Sequence, residues 1–248
     1  MVQRESVFSK IYLEKLWGSG SKLEPLSGAG SNPDVALPYV NFVQSIISKY
    51  KISTVLDVGH GDWVMWRDYK FEDTNYMGVD VAHGLSAQVA KSFGTKNRKF
   101  QQISADQSLP DADLLLCKDV LQHLSLDDIN AFLSQISKFN YVIICNDISG
   151  LVTSLHKAKH YLQIRSRFRV LCKFRSPFYS VSFPFNNSNI ETGGYRGLNL
   201  EDSYFISKFR ELELAEKIDF DAEHTDGTKK RILFFKNKKI IRREKNSN

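Results

Sequence analysis

The sequence predicts a doubly wound α/β fold, a mostly parallel sheet with helices on both faces, and three observations predict it. Short apolar runs alternate with stretches of helical periodicity between residues 34 and 145. The runs are nearly continuous in apolar residues, as in Leu114-Leu115-Leu116-Cys117, the composition of strands buried on both faces. Three acids, Asp57, Asp80 and Asp106, stand at or just past the ends of the first three runs. They would line the carboxyl edge of the sheet, where open α/β sheets bind ligands.

With 248 residues, 42% hydrophobic and 25% charged, the chain has the composition of a soluble protein with one full core. We divide it into an N-terminal lid and helix, residues 1–50, and a main domain, residues 51–248, with an insertion at 148–186. Cys117, Cys145 and Cys172 are far apart and lack a CxxC or a neighbouring His pair, which argues against a disulfide framework or a zinc site, and no metal is expected. Residues 1–10 lack the apolar core of a secretory signal, and no stretch approaches the roughly 18 apolar residues of a membrane span. A soluble, cytoplasmic protein is therefore expected. The net charge of +6 suits an acidic partner.

The elements follow in order. Residues 1–33 hold Trp17-Gly18-Ser19-Gly20 and Ser27-Gly28-Ala29-Gly30-Ser31, too glycine-rich for a regular element, and read as a ligand-wrapping arm or, more plainly, a surface loop. From Asp34, Val35, Tyr39, Phe42, Val43, Ile46 and Ile47 recur at helical spacing, with Asn32 or Asp34 as cap. A strand then runs into the turn Asp57-Val58-Gly59-His60-Gly61-Asp62-Trp63, and residues 63–69 suggest a short helix. Strand 76–81, helix 85–93 and strands 99–104 and 113–117 follow. Ser125 caps a helix reaching about residue 138, with Asp127 and Asp128 in its first turn, where the helix dipole favours acids. Residues 141–145 form a fifth strand, with Asn146 and Asp147 at its end.

No acid occurs between Asp147 and Glu191. Residues 151–162 read as a basic amphipathic helix. Beyond it Arg165, Arg167 and Arg169 alternate with Ile164, Ser166 and Phe168, and after Ser176-Pro177 a second alternation runs through Tyr179, Val181, Phe183 and Phe185. This is the pattern of an inserted β-hairpin with a basic face, either an anion clamp or a solvated edge. A polar loop with three glycines spans 186–200. Two last strands, 212–220 and 231–235, flank the turn His224-Thr225-Asp226-Gly227, and residues 240–248 read as a frayed basic tail.

In the glycine turn, Gly59 and Gly61 can take backbone angles closed to other residues, and Asp80 follows at the separation at which an acid accepts ribose hydroxyls. A dinucleotide is disfavoured, because the turn does not complete GxGxxG and Asp62 and Trp63 stand where a pyrophosphate needs bare amides. An acidic turn suits a cation. Asp57-Val58-Gly59-His60-Gly61-Asp62, Gly78-Val79-Asp80, Ser104-Ala105-Asp106 and Lys118-Asp119-Val120-Leu121-Gln122-His123 resemble, in order, the motifs of class I S-adenosylmethionine-dependent methyltransferases. Trp17-Gly18, the Ser27 to Ser31 segment and the late segment at 187–200 resemble a branch of that family that tends to accompany sugar and cell-surface chemistry.

The resemblance implies a Rossmann-like, seven-stranded sheet with an antiparallel last strand and S-adenosyl-L-methionine as cofactor. It implies that Gly59 and Gly61 cradle the methionyl part, with Asp62, Trp63, Val81 and Lys118 around the same pocket. It implies that Asp80 binds the ribose, Asp106 the adenine amino group, and that Asp57 orients the amino end. His123 and Asp119 are the candidate catalytic bases by location; the plainer reading of His123 is a helix cap. Asn146, Asp147, Tyr195 and Arg196 are candidates for the acceptor site, with Arg165, Arg167 and Arg169 as an anion clamp; Arg196 alternatively pins its loop to an acid such as Asp119. The expected activity is O-methylation of an acidic small molecule or glycan. Methylation of a nucleic acid, RNA ribose in particular, and a cofactor-binding scaffold without activity are the alternatives.

Overall fold

The computed structural model describes residues 4–20, 24–69, 71, 73–148, 187–222 and 228–246. The predicted basic helix, the hairpin with Arg165, Arg167 and Arg169, and the turn 224–227 lie outside the described residues. Seven strands, β1 Thr54–Val58, β2 Asn75–Asp80, β3 Arg98–Gln102, β4 Leu114–Lys118, β5 Tyr141–Asp147, β6 Leu212–Asp221 and β7 Lys229–Asn237, form one sheet in the order β3-β2-β1-β4-β5-β7-β6. Strands β1 to β5 are parallel, and β7 runs antiparallel to both β5 and β6. This is the predicted class.

Burial explains the order. Every residue of β4 and β5 is buried, so these near-continuous apolar runs occupy the centre, while β3 and β6, with mostly exposed residues, form the edges. Helix α2, Pro33–Tyr50, begins at Asn32, whose side chain accepts the Asp34 N–H, and buries Tyr39, Val43 and Ile46. Helix α3, Leu85–Phe93, matches its predicted span. Helix α4, Leu126–Leu133, is capped by Ser125 as expected but ends five residues early, giving way to a 3-10 turn at Ile136–Lys138. There Gln135 Oε1 accepts the Leu109 N–H and Lys138 reaches Asp111, so side chains tie down the loop before β4 instead of extending the helix. The expected short helix after the glycine turn is a single 3-10 turn, Val64–Trp66.

Two expectations are corrected. The N-terminal stretch contains a regular element, α1, Arg4–Leu13, and residues 240–246 of the stretch read as a frayed tail belong to α6, Lys238–Asn246; the short α5 is Ser203–Ile206. Helix α1 lacks a strong amphipathic pattern and is held by tertiary contacts. Phe8 and Ile11 are buried, Glu5 Oε1 accepts the Ala105 N–H at 2.8 Å, Ser9 Oγ accepts the His83 N–H at 2.8 Å, and Arg4 pairs with Asp128 at 3.3 Å. Among the described residues no helix is long and apolar enough to cross a membrane, and no group of three or more His, Cys, Asp or Glu could hold a metal ion.

Candidate functional site

A cavity of about 920 Å³ opens at the carboxyl edge of the sheet, bounded by the ends of β1, β2, β3 and β4, by α1 and the arm after it, and by the 193–195 loop. Its β1–β2 side is built around the glycine turn. Gly59 and Gly61 have φ of +74° and +59°. A Cβ at Gly59 would meet Val120 Cγ2 at 2.3 Å, and one at Gly61 would meet Ser27 Oγ at 2.2 Å, so both positions are closed to side chains. Asp80, 7% exposed on the wall, accepts the Gly61 N–H at 3.2 Å and the Ala82 N–H at 2.9 Å, one on each oxygen. Val81 lies beside it.

Asp62 joins the arm to the turn. Its N–H donates to Ser27 Oγ at 2.7 Å and its Oδ2 accepts the Ser27 N–H at 3.3 Å. Trp63 takes a left-handed backbone, φ +62°, that sends its ring into an aromatic cluster with Phe71, Tyr76, Phe93 and Phe100. His60 is buried below the turn, its Nδ1 2.7 Å from the Gly61 carbonyl and its Nε2 2.9 Å from Ser86 Oγ. The carbonyl can only accept, so Nδ1 carries a proton.

Two acids expected in this half lie off the wall. Asp57 is buried, accepting Tyr76 O–H at 2.6 Å and Trp66 Nε1–H at 3.1 Å, and burial pushes its carboxyl up against the pull of those bonds. Asp106 is exposed; Ser104, Ala105 and Gln107 face the cavity in its place.

The β4–β7 side is made of charge. Asp119, at φ +57°, binds Lys118 Nζ through one oxygen and Lys230 Nζ through the other at 2.6 Å, and Lys118 also donates to the Gly30 carbonyl at 2.8 Å. Burial alone would raise the Asp119 carboxyl, but the two ammonium groups outweigh it and hold it far below the ordinary carboxylate range. Asp119 is therefore a poor proton acceptor and a clamp joining arm, β4 and β7. Lys230 is held charged by Asp119 and Asp147 despite its burial.

His123 is placed differently. Its Nδ1 lies 2.8 Å from the Gly194 carbonyl, its ring centroid 4.6 Å from Trp17 and 5.4 Å from Tyr195. Burial lowers its pKa to about 4, only partly offset by the Gly194 carbonyl and by Asp119, so the imidazole is neutral at pH 7. Tyr195, 40% exposed, borders the cavity, but the other three acceptor candidates do not. Asn146 and Asp147 are buried at the end of β5; the Asp147 N–H donates to Gln122 Oε1 and its carbonyl accepts the Leu198 N–H. Arg196, 1% exposed, donates to the carbonyls of Leu124 and Gln122 rather than to Asp119, and burial lowers its pKa to about 10.

The sequence reading missed Lys230, Gln122 and the cavity face of α1. Lys230 had a signal in Lys229-Lys230-Arg231 opening the last strand, but its pairing with Asp119 depends on β7 lying beside β5. Gln122 had none beyond its place next to His123.

No protein-family model and no curated protein sequence matches the chain. Solved structures share its fold. A SAM-dependent methyltransferase from Anabaena variabilis superposes with a TM-score of 0.60 at 9% identity, covering 96% of each chain. The N-methyltransferase NodS from Bradyrhizobium japonicum in complex with S-adenosyl-L-homocysteine gives 0.58 at 9% identity, over 94% of this chain and 98% of that one. The methyltransferase domain of bacterial CtHen1 gives 0.53 at 14% identity, over 82% and 98%.

Proposed function

We infer that the protein is an S-adenosylmethionine-dependent methyltransferase. The observation that carries this is the positive-φ turn at Gly59 and Gly61 opening, with the Asp80 carboxylate, into one cavity at the carboxyl edge of the sheet. The fold shared with solved methyltransferases supports the same reading. The donor set suits this cofactor. Each Asp80 oxygen accepts one backbone N–H and keeps a lone pair for a ribose hydroxyl, and Asp62 and Asp80 put negative charge beside the turn, which favours a sulfonium cation over a pyrophosphate.

When bound, the cofactor supplies a methyl group activated by its positive sulfur. This chain's residues have to align the acceptor in line with that methyl, exclude water and take up a proton. Trp17, Tyr195 and α1 wall off the pocket around His123. The neutral His123, with its proton on Nδ1, offers Nε2 as the base for a hydroxyl nucleophile, which favours O-methylation. Lys118 and Lys230 share the single carboxylate of Asp119, a cluster with an excess of positive charge that favours an acceptor with an anionic group, such as an acidic sugar or sugar phosphate.

Calorimetric titration with S-adenosylmethionine tests the cofactor: binding is expected, with loss in Asp80→Ala, and no binding to the folded protein overturns the proposal. A labelled-methyl screen of sugars, sugar phosphates and RNA tests the acceptor. Label in RNA alone would move the assignment to nucleic acid, the reading suggested by the acid-free stretch between Asp147 and Glu191.

A further inference from the structure

We propose that Gln122 is a positioning residue that fixes the tautomer of His123, keeping the proton on Nδ1 and the lone pair on Nε2. The inference begins from two backbone groups whose roles are not open to choice. The Asp147 N–H can only donate, so the Gln122 side-chain atom 2.8 Å from it is the carbonyl oxygen Oε1. That turns the amide NH2 toward His123, with Gln122 Nε2 3.5 Å from His123 Nε2. An NH2 has no lone pair to offer a second donor, so a proton on His123 Nε2 would face the hydrogens of the amide. On the other side of the ring the Gly194 carbonyl, which can only accept, lies 2.8 Å from Nδ1. Asp147 N–H, relayed through Gln122, and Gly194 C=O thus dictate the same proton position from opposite ends.

The frame leaves Gln122 little freedom. The residue is 3% exposed, its carbonyl accepts the Arg196 N–H at 3.1 Å, and the His123 carbonyl accepts the Gly193 N–H at 2.8 Å. At 3.5 Å the Gln122–His123 contact is at the outer limit of hydrogen bonding. Gln122 therefore acts mainly by making a proton on Nε2 unfavourable in the resting ring, and an acceptor hydroxyl that uses the lone pair has to displace this weak contact. The charged groups that bear on His123 are Asp119, which favours protonation, and Lys230 and Arg196, which oppose it; Trp17 and Tyr195 beside the ring carry no charge. The use of the lone pair as a base rests on the methyl-transfer reading, whereas the proton's position does not.

Gln122→Glu reverses the polarity at the contact. One carboxylate oxygen keeps the Asp147 N–H and the other faces Nε2, where it calls for a proton. Gln122→Met removes the amide and supplies neither. Long-range proton–nitrogen correlation on the full chain labelled with 15N-histidine reads the result directly. The wild type is expected to carry its neutral proton on Nδ1, and the titration midpoint of His123 is expected to rise in the order wild type, Gln122→Met, Gln122→Glu. The last should exceed the wild type by at least about one pH unit, a tenfold change in proton affinity. If Gln122→Glu does not fold, Gln122→Met must still lie above the wild type. A wild-type proton on Nε2, or equal midpoints, overturns the proposal.

Activity supplies the second readout. Gln122→Glu should move the acid limb of kcat to higher pH by the same shift as the His123 midpoint, with S-adenosylmethionine binding by calorimetry unchanged. An acid limb that stays at the wild-type position counts against the proposal. Ordered midpoints in a protein that binds no S-adenosylmethionine would uphold the Gln122 assignment and overturn the methyl-transfer reading instead.

Discussion

The two sides of the cavity are built by different means. The glycine-turn side is made largely of backbone: positive-φ glycines, N–H groups held by Asp80, and a buried imidazole under the turn, with most partners within about 26 residues along the chain. The β4–β7 side is made of side chains from distant segments, with Lys118 bonded to the Gly30 carbonyl and Lys230 to Asp119 across separations of 88 and 111 residues. A local design presents fixed dipoles to whatever ligand it takes. An assembled one can place charge, a base and aromatic faces around a second molecule, and it depends on every segment arriving.

The largest expected effect would break the glycine-turn side. Asp80→Ala removes the carboxylate proposed to bind the ribose and frees the Gly61 and Ala82 amides, and should weaken S-adenosylmethionine binding by about 100-fold or more in a calorimetric titration. If cofactor affinity were unchanged, that side would not be the cofactor side. His123→Ala probes the other side alone: kcat should fall by ~10²–10⁴-fold with cofactor affinity retained.

Asp119→Asn tests the assembled side through stability. It leaves two buried lysines facing a neutral amide and should cost about 3–5 kcal/mol in urea unfolding. The pH dependence has a definite sign. The folded carboxyl lies below its ordinary value, so its contribution is complete above about pH 4 and is lost as pH falls through the folded value. Asp119→Asn should flatten that acid limb. His123 acts at milder acidity: folded near 4 against an ordinary 6.5, it destabilises the fold progressively as pH drops from 6.5 toward 4, and His123→Asn should remove that slope.

Gly59→Ala should cost about 1–3 kcal/mol through its backbone angle, with the Val120 contact adding to it, measured by chemical denaturation. The smallest effect is expected from Ser27→Ala. Losing the bond from the Asp62 N–H should cost about 1 kcal/mol and speed hydrogen exchange in α1 and the arm while leaving the sheet protected. Exchange spreading into β4 would mean that the two sides are less separate than the geometry implies.

The sheet was legible in the sequence because its strands are contiguous apolar runs, and the caps at Asn32 and Ser125 because each capping bond closes within three residues. Helix α1 was not, since its burial comes from partners such as Ala105 and Asp128 rather than from a strong amphipathic pattern of its own. Of the site residues, Gly59, Gly61, Asp62, Val81 and Asp80 line the cavity, together with Lys118, Asp119, His123 and Tyr195. Asp57, Asn146, Asp147 and Arg196 lie beneath it, Asp57, Asp147 and Arg196 through bonds to Tyr76, Trp66, Gln122 and Leu124 that no spacing announces. Asp106 stands off the wall because the lining after β3 is made by its neighbours.

The sequence by itself determined the fold class and the glycine turn with its acid at position 80, because alternation, hydrophobic periodicity and glycine's backbone freedom act over a few residues. Only the tertiary structure decided which acids face the cavity, that Lys118 and Lys230 share Asp119, and which nitrogen of His123 carries the proton. Those outcomes depend on burial and on hydrogen-bond partners up to 111 residues away, and neither exists until the chain has packed.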